Sequence, residues 1–194
     1  MTQDRQFARL VSLACHDIRT PLATVHGFAK TLLRIDELGD PADRYVEMID
    51  AASEQIAELL EELGLAARIA DGRYEPTLQE VDTLELARAA AERLGEERVR
   101  VSGEGGTVRV DGDAVERGIT ALVRAALRHG GLDEVDVRVA GPDLEIAPIT
   151  DASAQVVTGQ DLRDLGAAVA VRLLNALGGS AALEDQTLRV RLPQ

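Results

Sequence analysis

The chain has 194 residues, 45% hydrophobic and 28% charged, a length and composition suited to one domain or two small ones with a buried core. Only Phe7, Phe28, Tyr45 and Tyr74 are aromatic, and 21 Lys+Arg against 34 Asp+Glu leave a net charge of −13, which excludes nucleic acid or an anionic membrane surface as the main partner. No apolar run approaches the roughly 18–20 residues of a membrane span, no basic-then-apolar leader opens the chain, and the single cysteine, Cys15, makes neither a disulfide nor a thiolate cluster, so a reducing cytoplasm is expected.

Residues 4–70 read as long helices. Apolar residues recur at Leu10, Ala14, Ile18, Leu22, Val25, Phe28, Leu32 and Ile35, at steps of three and four, which is one stripe of one helix. Glu37–Pro41 (ELGDP) breaks it. A second stripe at Ile49, Ala52, Ile56, Leu59, Leu63, Ala66 and Ala70 has the alternating steps of a heptad seam. Two long helices and a short turn predict an antiparallel hairpin. Its open apolar surface predicts a homodimer, with the two hairpins forming a four-helix bundle. Asp71–Thr77 reads as a polar linker. Beyond it, helical patterns at Leu84–Leu94, Ala114–Leu127 and Leu162–Leu177 alternate with strand patterns. The strands are expected at Val99–Ser102, Val108–Val110, Val135–Val139, Leu144–Ile146, Ala181–Leu183 and Leu188–Leu192. The fold class is therefore α+β: a helical hairpin over residues 1–72, then a two-layer α/β sandwich over 73–194.

His16 lies two residues past Ala14, about 200° around a helix, and so should face away from the stripe. Asp17 follows it, Thr20 shares its face one turn on, and Pro21 should kink the helix nearby. A neutral imidazole has one free nitrogen able to attack phosphorus. A neighbouring carboxylate can hold the proton of the other and fix the tautomer. An exposed His beside an Asp is also a common surface pair. His26 has no such sequence neighbours and reads as an ordinary surface or core residue.

The stretch Phe7–Leu32 resembles the phosphoacceptor box of bacterial sensor histidine kinases, F…H-[ED]-x-R-T-P-L-x-x-x-x-G-[FY]…L. Phe7, His16, Asp17, Arg19, Thr20, Pro21, Leu22, Gly27, Phe28 and Leu32 carry the likeness, and ARIADGR is similar to the segment that ends the family's hairpin. The resemblance implies a dimerisation and histidine-phosphotransfer hairpin with His16 phosphorylated. It also implies that Asp17 assists transfer and that Thr20 helps position water for dephosphorylation of a partner.

The second half is similar in outline to the ATP-binding domain of that family. VDGDAVERGITALVRAALRHG follows its asparagine-box helix through Asp111, Val115, Ile119, Leu122, Ala126, Arg128 and His129. Ala121 and Ala125 stand where the family has asparagines, and alanine offers magnesium no oxygen. Pro148 stands near the place of the adenine-reading aspartate, with Asp151 as a displaced substitute at best. Asp164 replaces a glycine where phosphates would lie, and its charge would repel them. Thr150–Asp161, 12 residues, is too short for the usual lid. Gly166, Gly178 and Gly179 read as backbone geometry and a helix C-cap, and His129 as a favourable charge at a helix end.

The expected function is thus a phosphorelay protein resembling dimeric histidine phosphotransferases. Such a protein accepts and donates a phosphoryl group on His16, to and from receiver-domain aspartates of response regulators. No cofactor is expected on this chain; magnesium would sit on the partner, and ATP is not expected to bind. The absence of a sensor or membrane segment fits an intermediate component. The alternatives are an ATP-dependent histidine kinase with an atypical site, or a non-catalytic receiver-binding adaptor. A monomeric phosphotransfer domain with H-x-x-K-G does not fit, since DIRT follows His16. Charge adds a docking expectation. Residues 1–34 carry five basic and two acidic residues, a net +3, against −16 for the remainder. Arg5, Arg9 and Arg19 should therefore steer the His16 helix toward an acidic receiver pocket.

Overall fold

The computed structural model describes residues 15, 18–19, 22–34 and 40–193. The chain divides into two compact units, Met1–Arg73 and Tyr74–Gln194.

In the N-terminal unit, residues 22–32 are helical, as are 15, 18 and 19; together they form α1. Helix α2 runs Asp40–Ala70, 31 residues and about 46 Å at 1.5 Å per residue. Pro41 lies in its first turn, where a missing N–H costs no hydrogen bond. The helices are antiparallel: Cys15 lies in the field of Arg68, while Lys30 reaches Glu54 at 3.4 Å.

The seam between them differs from the one the apolar pattern predicts. On α2 the inward positions are Val46, Asp50, Ser53, Ala57, Leu60, Gly64 and Ala67, facing Cys15, Leu22, His26 and Ala29 on α1. This seam has heptad spacing but mixes polar and small residues with apolar ones. The predicted apolar stripes lie beside it and are largely uncovered within the chain. Ile18, Val25, Phe28 and Leu32 on α1 and Ile49, Ile56 and Leu59 on α2 are all exposed, Phe28 to 67%.

The C-terminal unit is a mixed α/β domain. Its strands are β1 (Leu78–Asp82), β2 (Val99–Gly105), β3 (Thr107–Asp111), β4 (Val135–Gly141), β5 (Asp143–Ala147), β6 (Ser180–Glu184) and β7 (Thr187–Arg191). Its helices are α3 (Thr83–Leu94), α4 (Gly112–Gly130), α5 (Asp151–Val157) and α6 (Leu165–Ala176). Five strands form one sheet in the order β2-β4-β5-β7-β6, with β2 and β4 parallel and the other pairs antiparallel. Strands β1 and β3 form a separate antiparallel pair, Leu78 opposite Asp111.

The main sheet alternates as a one-sided sheet must. Val135, Val137 and Val139, Leu144 and Ile146, and Leu188 and Val190 point into a core shared with Leu122, Leu174 and Val156. Opposite charges pair across the strands on the other face: Arg191 with Asp143 at 2.8 Å, and Arg189 with Glu184 at 2.8 Å. Gly103, at φ +98°, admits no side chain, because a Cβ there would stand 2.0 Å from the Val139 carbonyl oxygen.

Two elements differ from the sequence reading. Leu78–Asp82, which carries no strand pattern, is strand β1; its first three residues are exposed, so it shows no buried alternation. Thr150–Asp161, read only as a short connection, contains α5, whose Ser153, Val156 and Val157 are buried in the core.

Candidate functional site

His16, Asp17 and Thr20 lie outside the described residues, as do Arg5 and Arg9. The described residues around them are Cys15, Ile18, Arg19 and Leu22. Cys15 is buried against the hairpin, and burial pushes its thiol pKa up, opposed by the Arg19 and Arg68 guanidinium groups. A raised pKa leaves little thiolate, so this cysteine is poorly reactive. Arg19 is helical and exposed, and it lines a groove between the two helices with Leu22, Ala23 and His26 from α1. Ser53, Glu54, Ala57, Glu58 and Glu61 line that groove from α2.

His26, which has no acidic sequence neighbour, finds a partner across the hairpin. Its Nδ1 lies 3.0 Å from Asp50 Oδ1, a pair half-buried in the seam. Asp50 is 24 residues away, on the other helix, and no local spacing could have revealed it.

In the C-terminal unit, α4 starts where Asp111 caps Ala114 N at 3.3 Å and also accepts from the Tyr74 hydroxyl at 2.8 Å. It ends at Gly131, in left-handed conformation at φ 62°. Ala121 and Ala125 sit mid-helix and buried, Ala125 with 0% exposure. By spacing they share a face with Gly118 and His129. That face meets α6: a Cβ on Gly118 would stand 3.5 Å from Ala170 Cβ and 3.7 Å from Leu173 Cδ2.

Asp164 joins the two helices. Its Oδ1 accepts from Ala167 N at 3.0 Å and caps α6, while its Oδ2 lies 3.1 Å from His129 Nε2. His129 and Asp164 are 16% and 13% exposed. His129 therefore has a specific partner besides its place near a helix end. Gly178, at φ +88°, follows the last turn of α6, consistent with a C-cap role. Pro148 is exposed; Asp151 is exposed in the first turn of α5.

The fold and the N-terminal helices define a class: a helical hairpin followed by a mixed α/β domain of the histidine-kinase architecture. Residues 8–72 match the His Kinase A (phospho-acceptor) domain family, so this segment is a HisKA-like domain. Among curated proteins it is similar to the sensor protein DivL of Caulobacter vibrioides, 26% identical over 195 residues, covering 88% of this chain and 25% of that protein. Among solved structures it shares its fold with full-length ShkA in complex with AMPPNP, at TM-score 0.69 and 19% identity, over 94% of this chain and 44% of that one. It likewise shares the fold of the Acinetobacter baumannii histidine kinase AdeS, at TM-score 0.60 and 15% identity, over 92% of this chain and 98% of that one. The chain thus spans about a quarter of DivL and less than half of ShkA. Among the described residues, no helix is long and apolar enough to cross a membrane.

Proposed function

We propose that this chain is a phosphorelay component that accepts and donates a phosphoryl group on His16, working as a homodimer and without binding ATP. In the forward step a His16 imidazole nitrogen attacks the phosphorus of a receiver aspartyl-phosphate. The phosphorus–oxygen bond to the aspartate breaks, and the carboxylate is released with its electron pair. The reverse step hands the group to another receiver. Such a transfer needs positioning and charge stabilisation more than covalent chemistry from the protein, and the receiver brings its own magnesium. In this reading Asp17 holds the imidazole tautomer and Thr20 serves the hydrolytic branch. Arg5, Arg9 and Arg19 draw the helix toward an acidic pocket.

The observation that carries the relay over the kinase is the state of Asp164. Both its carboxylate oxygens are engaged at the head of α6, one as cap and one with His129. The resemblance would put nucleotide phosphates near this helix head, and a fixed carboxylate there opposes them. The magnesium-ligand positions support the same reading, because Ala121 and Ala125 offer only methyl groups and are buried. These residues do not fit a magnesium nucleotide. Dimerisation is supported by the exposed rows of Ile18, Val25, Phe28 and Leu32 on α1 and Ile49, Ile56 and Leu59 on α2, whose burial against a second copy would complete a four-helix bundle.

The test is label transfer. Purified protein is incubated with labelled phospho-receivers from its own organism, and separately with labelled ATP and magnesium. The reading expects label on the wild type from at least one receiver, none on His16→Ala, and none from ATP. Label from ATP that depends on His16 would make the protein a kinase. Receiver binding without transfer from any receiver would make it an adaptor.

A further inference from the structure

We propose that His26, Asp50 and Glu54 form a binding site for a divalent transition-metal ion, with zinc as the preferred occupant, that clamps α1 to α2. The site is separate from the phosphotransfer reading and does not depend on it. One nitrogen and two carboxylate oxygens, one from each of these residues, lie within 4.8 Å of one another. His26 Nδ1 and Asp50 Oδ1 are 3.0 Å apart, and both atoms are buried without a well-formed hydrogen bond. Ligands about 2.0–2.1 Å from a tetrahedral zinc ion stand roughly 3.3 Å from each other, so this pair is already near ligating separation. Glu54 follows Asp50 by one helical turn. Its carboxylate oxygen lies within 4.8 Å of the other two ligand atoms, so a small side-chain rotation brings it to the same geometry. Its side chain is 57% exposed, and its contact to Lys30 at 3.4 Å is an exposed ion pair that holds it weakly.

The donor set selects the ion. An imidazole disfavours magnesium and calcium, which take oxygen ligands, and suits zinc and its neighbours. Two carboxylates balance the double charge. The fourth position opens on the groove of about 410 Å³ beside His26, which gives an entry path and room for a water ligand. Of the other charged groups along this groove, Arg19 opposes a cation while Glu58 and Glu61 favour one. Ser53 is not a ligand, because its hydroxyl donates to the Ile49 carbonyl at 2.7 Å.

The experiment titrates the metal-free full chain with zinc chloride by calorimetry, with cobalt chloride by absorption, and follows the melting temperature in each case. The expected result is one ion per chain, a raised melting temperature, and binding at least tenfold weaker in His26→Ala, Asp50→Asn and Glu54→Gln. His129→Ala should bind as the wild type does. Glu54→Gln alters an exposed side chain and leaves the His26–Asp50 pair in place, so it remains informative if the other variants misfold. Equal zinc affinity in the wild type and Glu54→Gln overturns the site. So does a sulfur-to-cobalt charge-transfer band, which would move the ion to Cys15.

Discussion

His129 Nε2 and Asp164 Oδ2, 3.1 Å apart, tie the last turn of α4 to the N-cap of α6. The pair is largely buried, so removing one member strands the other in a poorly solvated place. Asp164→Ala removes both the cap and the pair and should destabilise the C-terminal domain by about 1.5–3 kcal/mol. His129→Ala removes only the pair and should cost about 1–2 kcal/mol. Urea unfolding followed by circular dichroism measures both, and an equal loss in the two variants would contradict the dual role of Asp164.

Gly118 sets the approach of α4 to α6. An added Cβ meets Ala170 at ordinary contact distance, so Gly118→Ala should be neutral or stabilising by up to about 1 kcal/mol through helix propensity. Gly118→Leu has no room and should cost about 1–3 kcal/mol by overpacking. The same unfolding measurement distinguishes the two.

Restoring the asparagines should not restore a kinase. Ala125 is fully buried in a helix–helix interface, where an amide without partners costs about 1–3 kcal/mol. The Ala121→Asn/Ala125→Asn double variant should therefore be less stable than the wild type and still take no label from ATP. Labelling of His16 in that variant would mean that the alanines alone separate this chain from an active kinase.

If the proposed homodimer forms through the exposed apolar rows, charge placed there should break it. Phe28→Glu and Ile56→Glu touch residues uncovered within the chain, so each hairpin should stay helical while sedimentation shows monomers at concentrations where the wild type is dimeric. Unchanged sedimentation would remove these rows from the interface.

Reversing Arg5 and Arg9 to Glu should slow phosphoryl transfer from a receiver several-fold at low salt, with the difference shrinking as salt screens it. Rates that do not differ at low salt would rule out electrostatic steering by this end of the chain.

What was legible in the sequence follows the range of the interactions. Strands β3, β4, β5 and β7 were readable because one face is buried and the other wet, so Val135, Val137 and Val139 alternate with Asp136 and Arg138. Strand β1 was not, because Leu78, Gln79 and Glu80 are all exposed and leave no alternation. Helix α5 was not either, being seven residues long, too short for a periodic pattern. In the hairpin the apolar stripe was legible, but the intrachain seam was not. Asp50, Ser53 and Gly64 sit in that seam, and hydrophobic periodicity does not register them.

By itself the sequence determined the two-part architecture, the HisKA-like segment that contains His16, and the presence of Ala121 and Ala125 where the resembled family has asparagines. These are matters of residue identity and local spacing. Only the tertiary structure decided what His26 and His129 face. Their partners, Asp50 and Asp164, lie 24 and 35 residues away along the chain and reach them only once helices pack. It also decided which stripe of α2 turns inward. A long amphipathic helix has more apolar surface than one neighbour can cover, and packing against α1 selected the row of smaller and more polar side chains. The larger apolar row is left for a second surface.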